Sequence, residues 1–270
     1  MPTTRIAFED LPTAVQTAIE EHTGPVLKVE SSAAGFNSEI SARVHTEAGT
    51  CHVKGLRTTH PRAWTQQREA DVNPYVRGIA PALLWSLETA GWHLLAFEAI
   101  DGHHADYRPP SSDLPKVADT LRRLGNLPCP QIELRHAEQR LHAYVDRRGD
   151  AELFAGNALL HTDLNNENVL VVDEQALLVD WAWATRGAPW LDAGYWIIWL
   201  MAAGGHTPES AEAWAARVPA WPAAPRHAID TFAHANANMW EEIAGDEPDH
   251  WTARMLDAAR AWSSHRATSL

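Results

Sequence analysis

His161, Asp163, Asn168 and Asp180 stand at spacings that could do chemistry together. They fall in one segment, HTDLNNENVLVVDEQALLVD (161–180). In it His-x-Asp is followed by an asparagine, an apolar stretch, a polar turn, and a second apolar stretch that ends on Asp180. Residues 169–172 and 177–179 have strand character, and 173–176 reads as the turn that folds one onto the other. Strands of about four residues would bring Asn168 and Asp180 to the same end of this hairpin, roughly 5 Å apart across the ladder. Asp163 lies in the loop just ahead. Two carboxylates and one amide oxygen would then converge at the hairpin mouth. Hard oxygen donors of this kind suit Mg2+, which takes one or two carboxylates and keeps positions for phosphate oxygens.

The elements that must hold these residues are legible on either side. Ile6, Leu11, Val15, Ala18 and Ile19 recur at helical spacing, with Pro12 near a helix start. After Gly24-Pro25, extended runs at 26–29, 39–44 and 50–54, separated by glycine-containing turns, predict an antiparallel meander. A helix over 63–76 and strands at 82–88 and 92–99 complete a small unit of strands and helices. From Asp101 onward the pattern turns helical. Helices are expected at 113–124 and 136–148, each with basic residues in its last turn before a glycine, and at 208–218, 226–244 and 248–266. The apolar stretch 193–203, bounded by Asp192 and a Gly-Gly pair, is too short to span a bilayer and reads as a buried core helix. The boundary falls between Glu98 and Gly102, giving a unit over 1–100 and a helical unit over 101–270.

The pattern H-x-D-x-x-x-x-N, a hairpin, then Asp is similar to the catalytic loop and metal-binding motif of the protein-kinase-like fold. The form found here, HTDLNNENVLV followed by LLVDWAWATRGAPWLDAGYW, most resembles the aminoglycoside phosphotransferase and choline kinase branch. Protein kinases carry Arg between the His and Asp and Asp-Phe-Gly at the metal site, where this chain has Thr162 and Asp180-Trp181-Ala182. The resemblance implies an α+β, bilobal protein-kinase-like fold with a small β-rich N-lobe and a mainly helical C-lobe. It implies ATP (or GTP) and Mg2+ as cofactors. Asp163 would orient or deprotonate the acceptor hydroxyl, and Asn168 and Asp180 would hold magnesium on the phosphates. His161 would brace the loop, and Asp192 would support it from below.

The resemblance extends, less sharply, to the first unit. Lys54, one of three lysines, ends an extended run where the fold places the lysine that contacts the α- and β-phosphates. Glu69, on the following helix, would pair with it. The segment 31–38 (SSAAGFNS) would cover the nucleotide, with Gly35 admitting the backbone to phosphate and Asn37 or Ser38 donating hydrogen bonds. Residues 97–102 resemble the hinge between lobes, where backbone groups from Glu98 to Ile100 would face adenine.

Composition narrows the function further. The net charge is −13, of which −10 falls in residues 101–270. That field repels nucleic acid and anionic membranes and favours a cationic or neutral partner. Two cysteines, Cys51 and Cys129, make no disulfide framework and no C-x-x-C metal pattern, and point to a reducing, cytoplasmic setting. No H-E-x-x-H, Walker A, G-x-S-x-G or G-x-G-x-x-G sequence competes with the segment above. Seven of the 13 tryptophans lie between Trp181 and Trp221; most are expected in the core, with a minority lining an acceptor pocket. Glu241, Glu242 and Asp246, in an acidic stretch, are candidate contacts for an amine-rich acceptor. The expected function is transfer of the γ-phosphoryl group to a hydroxyl of a small molecule. An antibiotic (an aminoglycoside or another hydroxylated natural product) leads, with resistance as the role. A metabolic small alcohol such as choline, homoserine or a sugar derivative is the alternative, and a non-catalytic nucleotide-binding module is the other. The sequence leaves a monomer and a homodimer equally open.

Overall fold

The structure, a computed structural model, describes residues 5–31 and 38–268. One of its two units, Met1–Asp101 with Val179–Ala182, is governed by side-chain alternation along its strands. It comprises α1 (Thr13–Thr23), β1 (Val26–Ser31), β2 (Ile40–Thr46), β3 (Gly49–Arg57), α2 (Trp64–Val72), β4 (Leu83–Thr89) and β5 (Trp92–Glu98). The five strands form one antiparallel sheet in the order β1-β2-β3-β5-β4. Ile40, Val44, Cys51, Val53, Trp92, Leu94 and Ala96 share a core cluster with Val15 and Ile19 of α1. Successive strand residues point to opposite faces, so Lys54 leaves that core for the other face. There it stands in register between Ser41 and Leu95. α2 supplies Glu69, buried with Thr65, Gln66 and Val72.

The second unit comprises Gly102–Leu178 and Trp183–Leu270. It contains β6 (His103–His104), α3 (Leu114–Leu124), β7 (Arg135–His136), α4 (Ala137–Leu141), β8 (Ala158–Leu160), β9 (Val169–Val172), β10 (Gln175–Leu178) and β11 (Thr185–Gly187). Four helices complete it: α5 (Leu191–Gly204), α6 (Pro208–Ala215), α7 (Arg226–Ala244) and α8 (His250–Thr268). The α+β, bilobal kinase-like architecture implied by the motif is the one observed. Val179–Ala182, which a single linear boundary leaves with the helical part, cluster with the first unit. Among the described residues, no helix is long and apolar enough to cross a membrane.

The hairpin of β9 and β10 is tighter than the sequence suggests. Its turn is Asp173-Glu174, with Val172 paired to Gln175 and Val169 to Leu178. Asp173 adopts a positive φ of 50°, which Asp tolerates better than most residues. α3 fastens the hairpin from one side: Thr120 Oγ1 donates to the Ala176 carbonyl at 2.7 Å, and Lys116 Nζ to that of Asp173 at 2.6 Å. The helix expected over 136–148 is cut to α4. Beyond Leu141 the segment HAYVDRRG has no apolar stripe to bury, and it continues as turns and a 3-10 helix, Arg148–Phe154. α5 is buried along nearly its whole length, as its apolar sequence requires. Around Phe232 of α7, the rings of Phe154, Trp190, Tyr195 and Trp262 pack edge-to-face at 4.9–6.1 Å. Such pairs contribute about 0.5–1.5 kcal/mol each beyond their buried area. Of the seven tryptophans from 181 to 221, only Trp183 and Trp214 are not fully buried.

Gly55, beside Lys54, shows how closely β3 and β5 approach. A Cβ there would lie 2.6 Å from Leu94 Cδ2 and 2.9 Å from the His93 carbonyl oxygen. Gly55→Ala should therefore destabilise the chain by about 1–3 kcal/mol, the usual cost of overpacking. A urea melt with an unchanged midpoint would show that β3 can shift freely.

Candidate active site

In the first unit, Lys54, Glu69 and Asp180 come together. The Lys54 ammonium lies 2.5 Å from Glu69 Oε2 and 3.3 Å from Asp180 Oδ1, with Lys54 and Glu69 almost wholly buried. Asp180 reaches this position through the return of Val179–Ala182 to the first unit. The Trp181 backbone N–H bonds the Glu69 carboxylate as well, tying this short segment to α2. Burial pulls the Lys54 pKa down, but the negative charges of Asp180 and Glu69 outweigh it and hold it above the ordinary amine value. The site thus keeps a fixed positive charge. Asp180 sits at φ 62°, a left-handed conformation unusual for a non-glycine residue and maintained only where surrounding structure imposes it.

In the second unit, the loop between β8 and β9 carries His161, Asp163 and Asn168, and buried Asp192 supports it. Asp192 stands in the first turn of α5 and accepts the backbone N–H groups of His161 (2.9 Å) and Thr162 (2.8 Å), one on each carboxylate oxygen. Thr162 is β-branched yet takes φ 66°, which those bonds help to impose. The Asp163 N–H donates to His161 Nδ1 at 3.3 Å, so His161 braces the loop from within. Asn168 Nδ2 donates to the Asp163 carbonyl at 3.2 Å. With the amide nitrogen committed, the oxygen at the other end of that side chain is the donor atom suited to a cation. Asp163 itself is half-buried and fixed at its backbone.

The other sequence candidates are placed as follows. Ser38 is buried just ahead of β2; Gly35 and Asn37 lie outside the described residues. The Glu98 N–H donates to the Ala82 carbonyl, and the Ile100 carbonyl accepts from Arg43 Nη1 at 3.2 Å, so those two backbone groups are engaged within the first unit. Glu241 pairs with Arg260 at 2.6 Å, Glu242 accepts from the Tyr144 hydroxyl at 3.2 Å, and Asp246 is exposed after α7. Sequence reasoning missed Arg140. From α4, its Nη1 donates to Thr162 Oγ1 at 2.7 Å and Thr185 Oγ1 at 2.6 Å, and its guanidinium lies 5.7 Å from the centre of the Trp183 ring. The Arg that protein kinases carry in the loop is absent here, and a guanidinium from α4 reaches Thr162, which stands in its place. Only the Thr at position 162 hinted at such a substitution.

Asp180 in the first unit carries a carboxylate and Asn168 in the second an amide oxygen, each a hard donor of the kind that Mg2+ takes alongside phosphate oxygens and water. Among the described residues, no group of three or more His, Cys, Asp or Glu could hold a metal ion by itself.

No protein-family model matches the chain, and no curated protein matches it in sequence. Solved structures do match. Choline kinase LicA from Streptococcus pneumoniae superposes with a TM-score of 0.63 at 15% identity, over 93% of this chain and 99% of that one. A thermostable mutant of aminoglycoside phosphotransferase APH(4)-Ia, in its apo form, gives 0.63 at 14% identity, over 91% and 98%. The chain has the aminoglycoside phosphotransferase and choline kinase fold. Members of this fold have been solved with nucleotide: LicA with AMP (0.63, 16% identity, 93% and 97% covered), and an APH(4)-Ia mutant in a ternary complex with ADP and hygromycin B (0.60, 13%, 92% and 98%).

Asp192 gives this phosphotransferase-like loop its sharpest test. Asp192→Ala leaves two buried N–H groups without an acceptor, at about 1–3 kcal/mol each. Denaturant melts should therefore show a loss of about 2–6 kcal/mol, and an unchanged midpoint would contradict the bracing role. Burial raises the Asp192 pKa to about 6, against the opposing pull of its two N–H bonds and of Arg140. A raised carboxyl pKa means that protonation favours the fold. That contribution is complete below about pH 4, the ordinary carboxyl value, and is lost as the pH rises through the folded value. The stability difference between wild type and Asp192→Ala should shrink across that window.

Proposed function

We propose that this chain is an ATP-dependent small-molecule O-phosphotransferase. The observation that carries the reading is the buried contact of Lys54 with Glu69 and Asp180, in a chain whose catalytic-type loop holds a half-buried Asp163 by its backbone. Lys54 would bind the phosphates of ATP as a permanent cation, positioned by Glu69. Asp180 and Asn168 would hold Mg2+, which neutralises charge on the phosphate oxygens when bound. Asp163 would accept a hydrogen bond from the acceptor hydroxyl and take its proton as the oxygen attacks the γ-phosphorus. The bond from that phosphorus to the bridging oxygen breaks, and ADP leaves with the electron pair. Positioning and charge stabilisation supply most of the catalysis in such reactions.

The acceptor we assign is a hydroxylated, amine-bearing small molecule, with an antibiotic as the leading class and resistance as the role. The excess negative charge of residues 101–270 supports a cationic acceptor. Glu242, held by Tyr144, and exposed Asp246 are the acidic side chains we assign to it, while Glu241 is paired with Arg260. The similarity to LicA, equal in TM-score to that with APH(4)-Ia, supports a metabolic alcohol as the second reading. Two free cysteines, Cys51 buried, agree with a cytoplasmic location.

The test is ADP release from MgATP across a panel of aminoglycosides, other hydroxylated antibiotics, choline, homoserine and sugars, with Asp163→Asn as the blank. Wild type should turn over at least one acceptor. The variant should keep its fold and nucleotide binding and lose about 10²–10⁴ in rate, the range for a general base. Equal turnover in the two proteins would remove Asp163 from the role.

A further inference from the structure

Asp163 is useful to a hydroxyl only if the chain on both sides of it is held. On its N-terminal side Asp192 does this. On its C-terminal side Asn168 takes the Asp163 carbonyl, and the next carbonyl is held by Tyr107, a residue with no part in the mechanism above. Tyr107 is fully buried and donates its phenolic O–H to the carbonyl of Leu164, the residue directly after Asp163, at 2.9 Å. Burial, with the charge of Asp163 acting in the same direction, pushes the phenol pKa above its ordinary value, so the group remains a donor at any working pH.

Tyr107 is itself located by the far end of α5. His206 Nε2 meets the Tyr107 carbonyl at 2.7 Å, and His206 Nδ1 meets Ser210 Oγ at 2.8 Å. A carbonyl can only accept, so Nε2 is the donor in the contact with Tyr107. Gly205, at φ 70°, ends α5 and sends the chain into His206. Gly204 must lack a side chain, because a Cβ there would fall 2.3 Å from the Tyr107 carbonyl oxygen. One rigid helix thus grips the loop twice, through Asp192 in its first turn and through His206 and Tyr107 at its last.

We propose that Tyr107 is a positioning residue for phosphoryl transfer: its O–H fixes the Leu164 carbonyl and with it the direction in which the Asp163 carboxylate faces. This rests on the phosphotransferase reading, since only an acceptor hydroxyl gives that direction a consequence. A purely structural tyrosine would lower stability and leave turnover below the melting temperature unchanged. Tyr107→Phe keeps the ring and removes the donor. We expect kcat to fall about tenfold while KM for ATP and for acceptor stays within about twofold, the signature of an interaction that matters in the transition state. Ile19→Val, a conservative change in the α1 core, should cost comparable stability with kcat unchanged. Deuterium uptake over 161–168 should be faster in Tyr107→Phe than in wild type and unaltered in Ile19→Val. A wild-type kcat in Tyr107→Phe, or an equal kcat loss in Ile19→Val, overturns the proposal. So does unchanged exchange over the loop. A wild-type protein that turns over no acceptor defeats the phosphotransferase reading instead, and the exchange comparison still decides whether Tyr107 holds the loop.

Discussion

A buried ammonium is the constraint around which the first unit is organised. Lys54 leaves water almost completely, and the cost of doing so is met by carboxylates from two other segments, Glu69 on α2 and Asp180 on the return of Val179–Ala182. Removing one partner of a buried pair costs about 3–5 kcal/mol, because the remaining charge is stranded. The alternation of β3 sends Lys54 away from the α1 core, α2 must face it, and Asp180 must adopt a left-handed backbone to meet it. Replacement by apolar side chains would satisfy packing equally well. A fixed positive charge with a carboxylate beside it is what the proposed phosphate site would use.

The second unit solves a different problem, that of fixing an irregular loop. Residues 161–165 belong to no helix or strand, so their backbone groups find partners elsewhere. Asp192, Asn168 and Tyr107 supply them from outside the loop and His161 from within it, while Arg140 holds the Thr162 hydroxyl. The apolar bulk of α5 and the aromatic cluster around Phe232 give those partners a rigid support. Packing energy in the helical core is thereby converted into placement of one half-buried carboxylate.

Local signals in the sequence were enough for the parts whose chemistry is compact. His161, Asp163, Asn168 and Asp180 lie within 20 residues and announce themselves by spacing. Lys54 and Glu69 followed from the family resemblance, and the strands of the first unit from extended runs between glycine turns; Lys54, expected at a strand end, lies inside β3, which runs on to Arg57 because pairing with β5 continues to Trp92. Long-range partners were silent. Nothing in EQRLH marks Arg140 as reaching Thr162, and nothing in HADYR marks Tyr107 as reaching Leu164, because those contacts span 22 and 57 residues. The two- and three-residue strands β6, β7, β8 and β11 carry too little pattern to read, and the 136–148 segment has the composition of a helix without a face to bury. The acceptor contacts were the least legible: an acidic stretch looks alike whether its carboxylates pair internally, as Glu241 does with Arg260, or await a substrate.

The central claim is that the Lys54–Glu69–Asp180 constellation is a nucleotide phosphate site. Calorimetric titration of MgATP into wild type and Lys54→Met, with circular dichroism to establish that both are folded, tests it most directly. Wild type should bind MgATP, bind ATP far more weakly when magnesium is chelated, and lose most of its affinity in Lys54→Met. Equal MgATP affinity in the two folded proteins, or binding indifferent to magnesium, would contradict the account.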